Sequence, residues 1–240
     1  MKRSTKLFLD ILMGAVIPIL ILNYLTGPLG APMAYLVSAL IPVGWVFVDL
    51  LFITRRFNFI TSYIGLSAIV RGALAFWFVD GVLFALKDSA GSVVAVLVFG
   101  GSILFGYPIM RAFLTQALNP DTPDKEAALD RLLDEESVRR GLVTSTLAVL
   151  VWNAVSGLIN FFLNLYIVVA PFGTEAFNQQ VAYVNAITRI ALVVPEFLVF
   201  GVAFWLIFRA LYRRLPSEEG KSQFESDFWD LVRLREAQSA

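Results

Sequence analysis

Six stretches of this chain, near 7–26, 33–53, 60–80, 91–110, 142–170 and 182–208, are each apolar over the length that a lipid bilayer asks of a helix. A hydrocarbon core of roughly 30 Å takes about 20 residues at the helical rise, and within it every backbone amide and carbonyl must find its partner inside the protein. Helices meet that condition segment by segment. The expected fold is therefore all-α: a polytopic integral membrane protein with six transmembrane helices. Composition agrees, since 58% of the 240 residues are hydrophobic and 16% charged, with a mean hydropathy of +0.74. A soluble domain is only about half apolar. The first stretch carries Asp10 and Pro18, exceeds the length of a signal-peptide core and lacks a small-x-small cleavage site, so it is expected to be retained as a span.

Basic residues set the orientation. With the N-terminus cytoplasmic, sixteen of the nineteen Lys and Arg residues fall in cytoplasmic segments and Lys87 alone lies outside, leaving Arg71 and Arg189 within spans. The expected location is the inner, cytoplasmic membrane of a bacterial-type cell, multi-pass, with both termini cytoplasmic. Acids and bases balance at nineteen each, which gives no support to a nucleic-acid partner.

Cysteine and histidine are absent. That removes disulfides, Cys/His zinc sites, thiol nucleophiles and every histidine-based relay. No paired acids stand at ligand spacing, and the serine-nucleophile elbow, the phosphate-binding lysine loop and the two-histidine metalloprotease helix are all missing. Neither a metal nor a cofactor is expected, no catalytic residue is assigned, and the chain is not expected to be an enzyme.

The organisation read from the sequence is a first half with its fourth span at 1–118, a cytoplasmic amphipathic helix and linker at 119–141, the fifth and sixth spans at 142–216, and a cytoplasmic amphipathic tail at 217–240. In the linker, Thr122 is placed as an N-cap ahead of Pro123 at the first helical position, with acids in the first turn. In the tail, Ser222 and Glu225 form a capping box, and Phe224, Phe228, Leu231 and Val232 make an apolar stripe. That stripe suits a helix lying on the membrane surface or on the protein itself, or one offered to a partner.

Two arginines interrupt the apolar pattern, and they align. "SAIVRGALA" at 67–75 overlays "NAITRIALV" at 185–193, and at the same offset "VSALI" at 37–41 falls on "VSGLI" at 155–159. Spans two and three thus match spans five and six. Two units of three spans would be inverted relative to each other, a 3+3 inverted repeat of the kind that places binding sites at the midplane of transporters. Chance similarity between apolar helices is the other account.

An arginine at the centre of a span costs about 2.5–3.5 kcal/mol and faces a bundle interior or a wet cavity. Arg71 and Glu196 lie at similar depth from the cytoplasmic side, which makes them candidate partners. Arg189 sits nearer the outer face, where it can snorkel or meet Asp80. These four form an intramembrane charged site read either as a structural ion pair or as a ligand for an anionic solute or lipid headgroup. Asn153, Ser156, Asn160 and Asn164 share one face of span five, as do Ser38, Pro42 and Asp49 on span two. Such faces are interhelical glue or the lining of a pathway. Ala68/Gly72 and Ser102/Gly106 have small-xxx-small spacing, and Pro18, Pro42, Pro108 and Pro195 bend or end spans.

The stretches "LDILMGAVIPIL" (9–20), "RRFNF" (55–59), "LKDS" (86–89) and "LFGYPIMRAFL" (104–114) give the first half a resemblance to bacterial inner-membrane proteins of the intracellular septation protein A type. The resemblance implies a polytopic membrane protein involved in division or envelope maintenance, and it brings no catalytic residues. The functional expectation is a non-enzymatic septation- or envelope-type membrane protein. The alternative is a small secondary transporter or channel for an anionic solute or lipid. Expected partners are membrane lipids, a second copy of the chain or another membrane protein, and, on the alternative reading, an anionic solute.

Overall fold

The computed structural model describes residues 3–55, 59–216 and 226–239. Among these the chain is helical, 85% helix with no strand. Three helical stretches are long and apolar enough to cross a membrane: Ala31–Ile53, Glu136–Ile167 and Glu175–Tyr212. A bent pair, Gly81–Asp88 followed by Ala90–Leu104, makes a fourth when taken as one span, with 44° between its halves. Leu104 and Phe105 stand 86% and 90% exposed, an apolar surface that calls for acyl chains or another apolar cover.

The chain divides into two compact units made of interleaved segments: residues 1–95 with 153–195, and residues 96–152 with 196–240.

In the first unit, α1 (Arg3–Ile11) runs through a π-helical turn, Leu12–Val16, into α2 (Ile17–Tyr24). Pro18 explains the change of winding: it has no N–H to give the carbonyl of Gly14 four residues back, so the regular ladder lapses there. After the short α3 (Thr26–Leu29), Gly30 at φ +78° reverses the chain into α4 (Ala31–Val48), which ends in a second π-turn, Asp49–Thr54. α5 (Phe59–Ala75) packs on α4, and a Cβ at Gly72 would come within 3.2 Å of Val43. The Ala68/Gly72 spacing thus marks a close helix contact, as its pattern predicts, with Ala68 buried.

α6 (Gly81–Asp88) and α7 (Ala90–Leu104) follow. From 153 onward α10 (Glu136–Ile167) returns to this unit, and α11 (Glu175–Ala191) packs on α2. Tyr35, Phe84, Phe172 and Phe177 form an edge-to-face cluster around which Leu22, Val168 and Val181 close. Lys87 is buried against it, its ammonium 4.8 Å from the Tyr35 ring centre and donating to the Trp77 carbonyl at 2.6 Å. Asn178, also buried, donates to Thr26 Oγ1 and the Ala31 carbonyl, both at 2.9 Å, tying α11 to the α3–α4 turn.

In the second unit, Ser102 and Gly106 do not form the helix contact their spacing suggests. Gly106, at φ +74°, ends the helix, and Ser102 Oγ accepts from the Ile109 amide at the start of α8 (Ile109–Leu118). The pair serves a chain reversal, because φ > 0 is what the residue after a helix needs and glycine supplies it. Thr122 caps α9 (Pro123–Leu133) as expected, accepting from the Lys125 amide at 3.3 Å. α10 begins after a break at Asp134 and Glu135 and packs on α12 (Val193–Tyr212), Ser145 donating to the Ala203 carbonyl at 2.9 Å. The break between α11 and α12 at Leu192 has the same cause as the first π-turn: Pro195 withholds the amide that Ala191 would use.

The tail helix, α13 (Phe228–Ser239), lies on the protein itself. Phe228, Leu231 and Val232 are buried, Arg131 pairs with Glu236 at 2.6 Å, and Arg235 pairs with Glu135. Ser222, Phe224 and Glu225, read as the capping box and the head of the stripe, lie outside the described residues, as do Arg56, Phe57 and Asn58.

Candidate functional site

The first unit gathers polar groups at the bend between α6 and α7. Asp88 closes α6, and its Oδ2 accepts from Asn160 Nδ2 at 3.0 Å and Asn164 Nδ2 at 2.9 Å. Asn160 also reaches Ser89 Oγ at 3.2 Å. Two of the four residues expected to form a polar face on α10 therefore converge on one carboxylate oxygen, with Asn164 fully buried and Asp88 exposed. Among the described residues Asp88 Oδ1 receives no hydrogen bond. The approach of α10 rests on Gly157, where a Cβ would fall 2.6 Å from that of Ser92.

Arg71 reaches the same bend from α5. Its guanidinium lies over Gly91, one turn past Asp88, so closely that a Cβ there would be 2.7 Å from Nη2. A side chain at that position would push the guanidinium from its present place, so glycine is what lets Arg71 lie there. Among the described residues Arg71 makes no hydrogen bond or ion pair.

Arg189 completes the group. Its Nη2 donates to the carbonyl of Gly14 at 2.5 Å, the acceptor that Pro18 leaves without its usual helical partner. Arg71 and Asp88 are the charges whose fields reach it. The two arginines that the internal alignment overlays thus belong to one unit.

The remaining sequence-derived residues are dispersed. Asp80 accepts from the Phe172 amide at 3.0 Å, a different partner from the Arg189 expected for it. Glu196 lies half-buried in the first turn of α12, in the second unit, whereas Arg71 belongs to the first. Ser156 donates to the Asn153 carbonyl at 3.2 Å and Ser38 to the Tyr35 carbonyl at 2.7 Å, both local helix bonds.

Asp49 enters a second cluster beside the π-turns. Lys6 bridges Asp10 at 2.9 Å and Asp49 at 3.2 Å, and Trp45 Nε1 donates to Asp10 at 2.8 Å. Burial pulls the Lys6 ammonium down, but its hydrogen bonds to Asp10 and Asp49 outweigh that and hold it above the ordinary 10.5. Among the described residues no group of three acids stands close enough to hold a metal ion.

Sequence reasoning missed Asp88 as a site residue, and Gly91 and Lys6 with it. Asp88 falls at a helix end and reads as a loop acid, although the asparagine face opposite it was a usable signal.

Fold and geometry define an all-helical chain with apolar helices of membrane-spanning length and a polar cluster in its first unit. Comparison with protein-family models, with curated proteins and with solved structures finds no match to this chain. The septation-type resemblance accordingly rests on the four stretches that carry it.

Proposed function

We propose that this chain is a non-enzymatic multi-pass protein of a bacterial-type cytoplasmic membrane that recognises an anionic solute or lipid headgroup, in the manner of a small transporter or channel. The observation that carries the reading is a pair of guanidiniums on helices of the first unit, Arg71 and Arg189, each within reach of the other's charge and with no carboxylate hydrogen-bonded to either among the described residues. An unpaired guanidinium at membrane depth is expensive, and it presents a planar fork of donors suited to carboxylate or phosphate oxygens. One carboxylate beside two guanidiniums leaves a net positive site.

Six spans with both termini cytoplasmic belong to the same reading. The distribution of Lys and Arg supports the orientation. The two helices that fall just short, Phe8–Tyr24 and Phe59–Ala75 at 17 residues each, extend about 25 Å and need only their flanks to cross. The overlay of 67–75 on 185–193 supports two inverted repeats.

The absence of native cysteine makes the test direct. Leu74→Cys, one turn from Arg71, should react with a membrane-impermeant anionic methanethiosulfonate, and millimolar inorganic phosphate should slow the reaction unless Arg71 is also changed to Gln. Modification only by lipid-soluble maleimides, indifferent to phosphate, would refute the reading.

A further inference from the structure

The cluster at the α6–α7 bend offers more than positive charge. Asp88 has one oxygen pinned by two asparagine amides and the other unoccupied among the described residues. Such pinning fixes the direction of the second oxygen, because a carboxylate held at one corner by Asn160 and Asn164 cannot swing away. Beside it stands the Arg71 guanidinium, which among the described residues makes no hydrogen bond or ion pair and lies with its Nε–Nη2 edge against Gly91, one turn along the chain. Arg189 spends one donor on Gly14 and keeps others.

Acceptor and donor of opposite charge, Asp88 and Arg71, therefore meet at one bend without a hydrogen bond between them among the described residues, and the charge of Arg189 reaches both. A site for a simple anion has no use for a fixed carboxylate, which repels the ligand and weakens every guanidinium contact. A site for a simple cation has no use for two arginines. A ligand carrying both charges uses all three groups, its oxyanion on the arginines and its ammonium on the unoccupied oxygen of Asp88. Charge-assisted hydrogen bonds at both ends add geometric selectivity that neither charge supplies alone.

We infer that the ligand is a zwitterion: a molecule bearing an oxyanion and a primary ammonium a few bonds apart, bound through Arg71 and Arg189 at one end and Asp88 at the other. The chemistry is that of a phosphoethanolamine, met either as a free compound or as the headgroup of a phospholipid. This rests on the anion-recognition reading above and narrows it.

The test compares two probes that differ only in the ammonium. Binding of phosphoethanolamine and of ethyl phosphate to the purified full chain in detergent is measured by thermal stabilisation and by calorimetry. Phosphoethanolamine should bind at least about tenfold more tightly, Asp88→Asn should bring the two level, and Arg71→Gln should weaken both. Equal binding to the unaltered protein would overturn the zwitterion assignment while leaving anion recognition standing, and that comparison needs no variant to fold. Binding of neither probe, with no difference in stability between nanodiscs of phosphatidylethanolamine and of phosphatidylglycerol, would overturn both. Loss of free phosphoethanolamine binding in phosphatidylethanolamine nanodiscs identifies the lipid headgroup as the source; retention identifies the soluble compound.

Discussion

Arg189 donates to the carbonyl of Gly14, 175 residues earlier in the chain, and does so where Pro18 has withdrawn the helical amide. An arginine and a proline within apolar helices each carry a cost, and here each offsets the other. The guanidinium obtains an acceptor and the carbonyl obtains a donor.

That exchange can be measured as a cycle. Arg189→Ala should cost about 1–3 kcal/mol through the unsatisfied Gly14 carbonyl. Pro18→Ala restores an amide four residues on, so the same arginine change in that background should cost markedly less. Unfolding titrations of the four proteins in detergent give the coupling, and additive losses would mean the two sites are independent.

Gly157 sets how closely α10 approaches α7. Gly157→Ala places a methyl 2.6 Å from the Ser92 Cβ, which forces a shift that overpacking data put at about 1–3 kcal/mol. Removing the opposing side chain with Ser92→Gly should recover part of that loss despite the helix penalty of about 1 kcal/mol for a new glycine. Thermal midpoints of the single and double variants decide it.

The Lys6 bridge makes an alkaline prediction. Its ammonium titrates above 10.5 in the folded chain, so the stability it contributes is complete below that value and is lost as pH rises through the folded-state pKa. The Trp45 indole N–H resonance, which reports the bond to Asp10, should therefore hold its position from neutral pH to about 10 and move above that range. Lys6→Gln should abolish the movement; an unchanged titration in that variant would assign it to another group.

Arg111 holds α9 from α8 by a fork, one arm to Asp130 at 2.9 Å and the other to Asp134. Burial lowers the affinity of the Arg111 guanidinium for its proton, but its bonds to the two aspartates outweigh this and raise it above its ordinary value. Lysine cannot span both carboxylates, so Arg111→Lys should release the helix even though the charge is kept. Hydrogen exchange across Pro123–Leu133 should quicken at least about tenfold, equivalent to roughly 1.4 kcal/mol. Unchanged exchange would show that one carboxylate suffices.

Leu231 is fully buried where α13 lies on the protein. Leu231→Asp should undock the tail, because burying a carboxylate in that seat costs more than the helix gains by staying. Limited proteolysis should then cut before Phe228 at a protease level that leaves the parent chain intact.

Much of this molecule is readable from one-dimensional pattern, for physical reasons that also explain what is not. Apolar length marks the long helices because lipid tolerates nothing else. Thr122 and Pro123 act within four residues of themselves, so their cap is found where the letters put it. Asn160 and Asn164 share a face by helical period alone. Asp88 escapes because its importance depends on a bend at Ser89 and on a helix more than 70 residues away. Gly91 escapes because what lies against it is a guanidinium from another helix. The proline effects lay between these cases. Pro18 and Pro195 announce a freed carbonyl, but which group comes to it is set by tertiary packing.

The π-turn at Leu12–Val16 holds a further implication. An ordinary helix that gains or loses a residue rotates everything beyond the change by about 100° relative to everything before it, because it winds at 3.6 residues per turn. A wider turn absorbs the surplus locally and lets both flanks keep their bearing. Shortening the chain by one residue within this turn is therefore the mildest deletion the first helix can suffer, while the same loss a turn further along would swing the buried side of α2 away from its neighbours.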